Sequence, residues 1–265
     1  GCDYLTDYLD SIICGDCLEV MRGLPDGCVD LTVTSPPYDN LRTYNGYVFD
    51  FEGIAKELYR VTKDGGVVVW IVNDATINGS ETGTSFRQAL YFKDVCGFNL
   101  HDTMIYKALG TGAKGSNYSY WQAFEFMFVL SKGRPCVVNR IADVKNKTLG
   151  LVRGGRFREN GTAEAPHKTK EFGIRTNIWE YPVGFMDKSD KTGHPAPFPE
   201  SLASDHIISW SNPGDVVLDP FCGSGSTGVA CVQEGRRCVM VDVDAGNCAK
   251  AAQRVRTAIA GFGIG

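Results

Sequence analysis

Val29-Asp30-Leu31-Thr32-Val33-Thr34-Ser35-Pro36-Pro37-Tyr38 begins as an apolar run and stops at two prolines. The run Val29–Val33 reads as a buried strand that ends in a loop. Consecutive prolines hold the backbone extended and remove two N–H donors, while their carbonyls remain as acceptors on a stiff support. A hydroxyl precedes them at Ser35 and an aromatic face follows at Tyr38. Such a group can accept hydrogen bonds from an NH₂ while stacking on the flat ring that carries it. A strand-ending turn with a partly buried tyrosine fits the same residues, so the surrounding chain has to decide.

On both sides of this strand the pattern alternates. Ser11 to Cys14 is a short β-like run, and Leu18, Val20, Met21 and Leu24 follow at helical spacing until Pro25-Asp26-Gly27. Downstream, Phe51, Ile54, Ala55, Leu58 and Val61 mark an amphipathic helix over 50–62, ended by Lys63-Asp64-Gly65-Gly66. Val67 to Val72 is almost continuously apolar, as in a parallel-sheet strand covered on both faces. Asn73 to Thr84 reads as loop, Ser85 to Val95 as helix, and Phe98 to Tyr106 and Phe124 to Leu130 as strands. The connection between those two strands is rich in Gly, Ser and Tyr. After a break, a helix is expected near 200–211, a strand at Asp215–Asp219, a helix near 226–235, a strand at Arg237–Asp242 and a last helix near 244–260. Strands alternating with helices predict a doubly wound α/β sheet.

The break covers 132–193. It carries Arg153, Arg156, Arg158, Lys168, Lys170 and Arg175 with little periodicity, together with Phe157, Phe172, Trp179, Tyr181 and Phe185. The whole chain has a formal net charge of −4, whereas 132–191 holds 13 Lys+Arg against 7 Asp+Glu. A basic segment on an acidic body suits a polyanionic partner, although a solvated basic loop has the same composition. A chain of 265 residues fits one domain with an insertion. The expected division is 1–131, an inserted recognition segment at 132–193, and 194–265. No apolar run reaches membrane-spanning length and the N-terminal stretch lacks a basic n-region, which points to a soluble cytoplasmic protein. In that setting the ten cysteines are expected reduced. Cys14-Gly15-Asp16-Cys17 has CxxC spacing, open to a thioredoxin-like pair or to two small half-buried residues. No second pair or histidine set supports zinc, and no metal is expected.

A second motif sits near the C-terminus. Val216-Val217-Leu218 leads into Asp219-Pro220-Phe221-Cys222-Gly223-Ser224-Gly225-Ser226-Thr227. Glycines after a strand let the backbone approach a ligand closely, and the following helix aims its N-terminal N–H groups at it. Asp242 ends the next strand, where a carboxylate can accept both ribose hydroxyls of an adenosine or can cap the final helix. Gly223, Gly225 and Gly228 also satisfy GxGxxG, so a nicotinamide-binding unit is a rival on spacing. An acid at the strand tip would repel a pyrophosphate. It would instead attract an ammonium group, which points to S-adenosylmethionine (AdoMet), a cation with an adenosine end.

Taken in order, these motifs resemble the β group of DNA methyltransferases that modify exocyclic amines. There the S/D/N-P-P-Y motif comes first, the target-recognition region second and the FxGxG cofactor loop last. Here they are Ser35-Pro36-Pro37-Tyr38, the basic insertion and Phe221-Cys222-Gly223-Ser224-Gly225. His194-Pro195-Ala196-Pro197-Phe198-Pro199 resembles the family's H-P-x-x-x-P element, and Ile13-Cys14-Gly15-Asp16 its N-terminal G-D element. Cys248 departs from the family, which often has Tyr after the ribose-binding acid.

The resemblance implies a mostly parallel, seven-stranded Rossmann-like methyltransferase sheet with an inserted target-recognition segment. It implies direct methyl transfer from AdoMet to the exocyclic amine of a base flipped out of double-stranded DNA. Ser35, Pro36, Pro37 and Tyr38 would be catalytic. Asp219, Pro220 and the loop Phe221, Cys222, Gly223, Ser224, Gly225, Ser226 and Thr227 would hold the methionine end. Asp242 would hold the ribose and Asp16 the adenine, with His194 and Phe198 flanking. For Asp16 an N-cap role and for His194 a turn-shaping role are the alternatives. Arg153, Arg156, Arg158, Lys168, Lys170 and Arg175 would meet DNA. In that family Ser before Pro-Pro-Tyr goes more often with cytosine N4 than with adenine N6, so cytosine N4 is expected and adenine N6 is the alternative. A non-catalytic DNA-binding module and an NAD-dependent oxidoreductase are readings of another class. A cognate restriction endonuclease and a homodimer are partners the family allows.

Overall fold

The computed structural model describes residues 5, 8–37, 43–44, 47–110, 117–153, 159–163, 165–182 and 198–262. The chain divides into two compact units, Gly1–Asn139 with Asn177–Gly265, and Arg140–Thr176.

The larger unit opens with β1 (Ser11–Cys14) and α1 (Cys17–Arg22), then β2 (Val29–Thr34), α2 (Phe51–Val61) and β3 (Thr62–Val72). Next come α3 (Thr84–Tyr91), which runs into a π turn over Phe92–Cys96, and the strands β4 (Asn99–Leu109) and β5 (Phe124–Ser131). The unit closes with β6 (Ile178–Pro182), α4 (Glu200–Trp210), β7 (Val216–Asp219), α5 (Ser226–Glu234), β8 (Arg237–Asp242) and α6 (Ala245–Phe262). Their order in the sheet is β1-β8-β7-β2-β3-β5-β4-β6. Every neighbour pair is parallel except the two that involve β5, which runs against β3 and β4.

The period of two along each strand sends alternate side chains to opposite faces. Val68, Trp70 and Val72 share one face with Phe128, Leu130, Leu218, Val239 and Val241, packed under Met21 of α1, Leu58 of α2 and Phe92 of the π turn. Val67, Val69 and Ile71 point the other way and are equally buried, as are Met127, Val217 and Met240. On that side, His206 of α4 lies 3.1 Å from the Met127 sulfur. Both faces are therefore covered, which is why β3 is apolar at every position from Val67 to Val72.

Two expectations are corrected here. The sheet has eight strands among the described residues, not seven. The extra strand is β6, and it lies within the segment assigned to the insertion. Ile178-Trp179-Glu180-Tyr181-Pro182 alternates exposed and buried, pairs with β4, and buries Trp179 and Tyr181. The separate unit is thus narrower than 132–193. In it, Val144–Lys145 pairs with Phe172–Gly173, and Val152–Arg153 pairs with His167–Lys168.

Candidate active site

β1, β8, β7 and β2 lie side by side and parallel, so their carboxyl ends open on one edge, the usual ligand side of such sheets. Four sequence-predicted segments meet there: Gly15-Asp16 after β1, Ser35–Pro37 after β2, Asp219–Thr227 after β7, and Asp242 at the end of β8.

A buried hydrogen bond joins two of them at the root. The Thr34 hydroxyl donates to Asp219 Oδ1 at 2.6 Å, and the Phe221 N–H donates to the same oxygen at 3.1 Å. Asp219 is 1% exposed. Burial pushes its carboxyl up to about 6, against the pull of the Thr34 and Thr227 hydroxyls and the Phe221 N–H. The Thr227 hydroxyl also donates to the Val33 carbonyl at 3.3 Å, tying the first turn of α5 to β2.

Asp242 fastens the other side of the glycine loop. Its Oδ2 accepts the Gly223 N–H at 2.9 Å and its Oδ1 accepts the Asp244 N–H at 2.9 Å. Capping of the last helix falls to Asp244, which accepts the Asn247 N–H at 2.8 Å. The Asp242 carbonyl takes the Gly15 N–H at 2.9 Å, so the turn after β1 hangs on the same residue. Asp16 does act as an N-cap: its Oδ1 accepts the Leu18 N–H at 2.9 Å at the start of α1.

Gly223 has φ 51° and Gly225 has φ 89°, both in the left-handed region. Their surroundings differ. A Cβ on Gly225 would stand 2.8 Å from Ala251 Cβ, whereas one on Gly223 or Gly15 would meet nothing within 4 Å. The first is a packing glycine, and the other two border open space. Gly225 caps α5 without a side-chain hydrogen bond, which leaves that helix N-terminus without a side-chain acceptor of its own. Phe221 anchors the loop against Phe49 and Trp70, at ring distances of 5.7 and 6.3 Å. Cys222 is buried, and burial beside Asp219 raises its thiol far above the usual range. It acts as a small spacer.

Arg254 is a site neighbour that the sequence did not reveal. From α6 its Nη1 donates to the Ser224 carbonyl at 2.7 Å and to the Ser224 hydroxyl at 2.9 Å, while Nη2 pairs with Glu200 at the start of α4. The glycine loop is thereby held from behind.

At Ser35-Pro36-Pro37 the first and third residues are half-buried and Pro36 is buried. Among the described residues neither Ser35 Oγ nor the Pro36 carbonyl has a hydrogen-bond partner. Phe198 is buried just ahead of α4, and Pro220 is buried beside Asp219. Tyr38, His194, Arg156 and Arg158 lie outside the described residues, as does the Arg153 side chain. In the smaller unit Lys168 and Lys170 are exposed, and Arg175 forms a two-bond ion pair with Asp143 at 2.8 and 2.6 Å. The CxxC pair is split: Cys17 is buried and Cys14 exposed. Burial, with Asp16 adjacent, pushes the Cys17 thiol up to about 12, unlike a redox-active thiol.

The fold has close counterparts among DNA methyltransferases of known structure. It superposes on PvuII DNA methyltransferase (cytosine-N4-specific) with a TM-score of 0.69 at 22% identity, over 92% of this chain and 85% of that one. M1.HpyAVI in its SAM complex gives 0.60 at 23% identity, over 92% and 98%. In sequence, the orphan methyltransferase M.BamHII of Bacillus amyloliquefaciens is 51% identical over 247 residues, 90% of this chain and 92% of that one. The DNA methylase family of N6 and N4 methyltransferases matches residues 29–253, and the chain belongs to it. It is a DNA methyltransferase of the exocyclic-amine type.

Proposed function

We propose that this enzyme methylates N4 of cytosine in duplex DNA, with AdoMet bound across the carboxyl ends of β1, β8 and β7. The observation that carries methyl transfer to an amine is the Thr34–Asp219 hydrogen bond, which ties the Ser-Pro-Pro loop to the glycine loop; the choice of cytosine N4 rests on Ser35 ahead of Pro-Pro-Tyr. The hydrogen bond supports an amine-binding role for Ser35 and Pro36 beside a methyl-donor site at the glycine loop.

Methyltransferases of this family use AdoMet. The residues fit it: open space borders Gly15 and Gly223, and a buried acid with a carboxyl raised to about 6 is suited to an ammonium group. Asp219 and the Phe221–Thr227 loop would hold the methionine end, Asp242 the ribose and Asp16 the adenine. Asp242 Oδ1 accepts the Asp244 N–H and, at 3.4 Å, the Asn247 side-chain amide, whereas Oδ2 accepts the Gly223 N–H and has a second lone pair suited to a ribose hydroxyl. AdoMet supplies the methyl group.

The chain's own contribution is positioning and charge stabilisation. The target amine is a poor nucleophile because its lone pair is delocalised into the ring. Ser35 Oγ and the Pro36 carbonyl would accept its two N–H bonds, favour a pyramidal nitrogen, and stabilise the positive charge that develops on it. Both acceptors lack partners among the described residues. A serine hydroxyl is a poor base, so the proton leaves to solvent after transfer. Tyr38 would stack on the flipped base. Lys168 and Lys170 would meet phosphates, while Arg175 holds its own segment through Asp143.

The test is incubation with tritiated AdoMet and mixed-sequence duplex DNA, followed by nucleoside mass spectrometry. N4-methylcytosine is expected. N6-methyladenine would replace the base assignment, and retained AdoMet binding without either nucleoside would overturn the reading.

A further inference from the structure

Among its described residues the β4–β5 connection leaves three aromatic side chains exposed, Tyr118, Tyr120 and Trp121, and the last two are adjacent in sequence. Tyr120 is 102% exposed and Trp121 is 67% exposed. The base of the connection is firm. The Ala108 N–H bonds the Ala123 carbonyl at 2.9 Å, and the Asn73 side chain at the end of β3 donates to the Phe124 carbonyl at 3.3 Å. Rings of this size bury about 150–250 Å² each when covered, so leaving two in water forgoes a large stabilisation.

Topology places them on the reacting side. β5 runs against β3, with Val72 opposite Phe126, so the residues before Phe124 lie beyond the carboxyl end of β3. That is the edge carrying Ser35–Pro37. In the sheet β5 is two places from β2, about 10 Å at ordinary strand spacing. A duplex presented to Ser35 is wide enough to reach this connection. Withdrawing a nucleotide from the duplex costs stacking and leaves unstacked flat faces on the neighbouring bases. Exposed aromatic rings on a well-rooted connection are suited to cover them, and such stacking tolerates any sequence.

We propose that Tyr120 and Trp121 form a base-stacking surface that covers the duplex bases flanking the flipped nucleotide. This rests on the DNA-methylating activity and is independent of which amine is methylated. Trp121 provides its own reporter, since Trp70 and Trp179 are buried and Trp210 is half-buried. Native genomic duplex DNA added to the full chain should quench the Trp121 emission and protect it from acrylamide, and Trp121→Phe should lose that signal. Tyr120→Ala and Trp121→Ala should each lower kcat/KM for the same DNA by about tenfold or more. AdoMet affinity and melting temperature should stay at the wild-type level. Tyr120→Phe and Trp121→Phe keep a ring and should stay within about threefold of wild type. Unchanged Trp121 emission on DNA binding would overturn the proposal. So would Ala variants as active as wild type, or Phe variants as impaired as Ala.

Discussion

Replacing Asp219 by Asn separates the stability of the empty enzyme from its affinity for AdoMet. The Asp219 carboxyl is buried and raised from 3.8 to about 6. For an acid raised in the folded state, the favourable contribution is complete below the unfolded value and is lost as pH rises through the folded one. Above about pH 6, ionised Asp219 therefore costs the empty protein roughly 3 kcal/mol. On lowering the pH from about 7.5 to about 5, wild type recovers on the order of 1 kcal/mol from this group. At this chain length that is a few °C in melting temperature. Asn keeps the oxygen that accepts from Thr34 and Phe221 and does not titrate. Asp219→Asn should therefore be at least as stable as wild type near neutral pH and should lack this share of the pH dependence. Its AdoMet affinity should fall by about 30-fold or more, because the proposed ion pair between Asp219 and the ammonium group would be lost. Wild-type affinity should itself drop about tenfold from neutral pH to about pH 5, as the carboxylate protonates. Differential scanning fluorimetry and calorimetry across pH give both quantities. An Asn variant that is destabilised near neutral pH, with the wild-type pH slope intact, would refute the reasoning.

Other outcomes follow from the same geometry. Tyr38→Ala should abolish transfer with AdoMet binding retained, whereas Asp242→Ala should lose AdoMet affinity; calorimetry showing the opposite pattern would sink the assignment. Gly225→Ala places a Cβ 2.8 Å from Ala251 Cβ at φ 89°, and should cost about 2 kcal/mol or more in urea unfolding. Gly223→Ala meets no protein atom, so its stability loss should stay near 1 kcal/mol while AdoMet binding suffers, since the new methyl enters the open space. Cys222→Ala should keep transfer within a few-fold, and no covalent enzyme–DNA adduct should appear on denaturing gels.

Much of this was legible in the chain because the signals are local. Two prolines after a strand, glycines ahead of a helix and acids at strand tips obey short-range sterics, and all of the expected strands and helices in the larger unit are present. The smaller unit's periphery was less readable. β6 is five residues long, and its partner β4 lies some seventy positions earlier, so nothing near it announced that Ile178–Pro182 would leave the basic segment and join the sheet. Arg254 gave no signal either. It sits on a helix of ordinary pattern, and its partners Ser224 and Glu200 are 30 and 54 positions away.

Residue types and their order along the chain were enough to single out Ser35–Pro37, Asp219–Thr227 and Asp242 as candidate site residues, because backbone conformation and chemical type are properties of neighbours in sequence. Which of them meet was settled by the sheet. Parallel pairing in the order β1-β8-β7-β2 brings Thr34 within a hydrogen bond of Asp219, 185 positions away. That same packing dries the carboxylate and raises it to about 6. Burial and long-range pairing are properties of the assembled sheet, so an acid at a strand tip becomes a tuned one only in the folded protein.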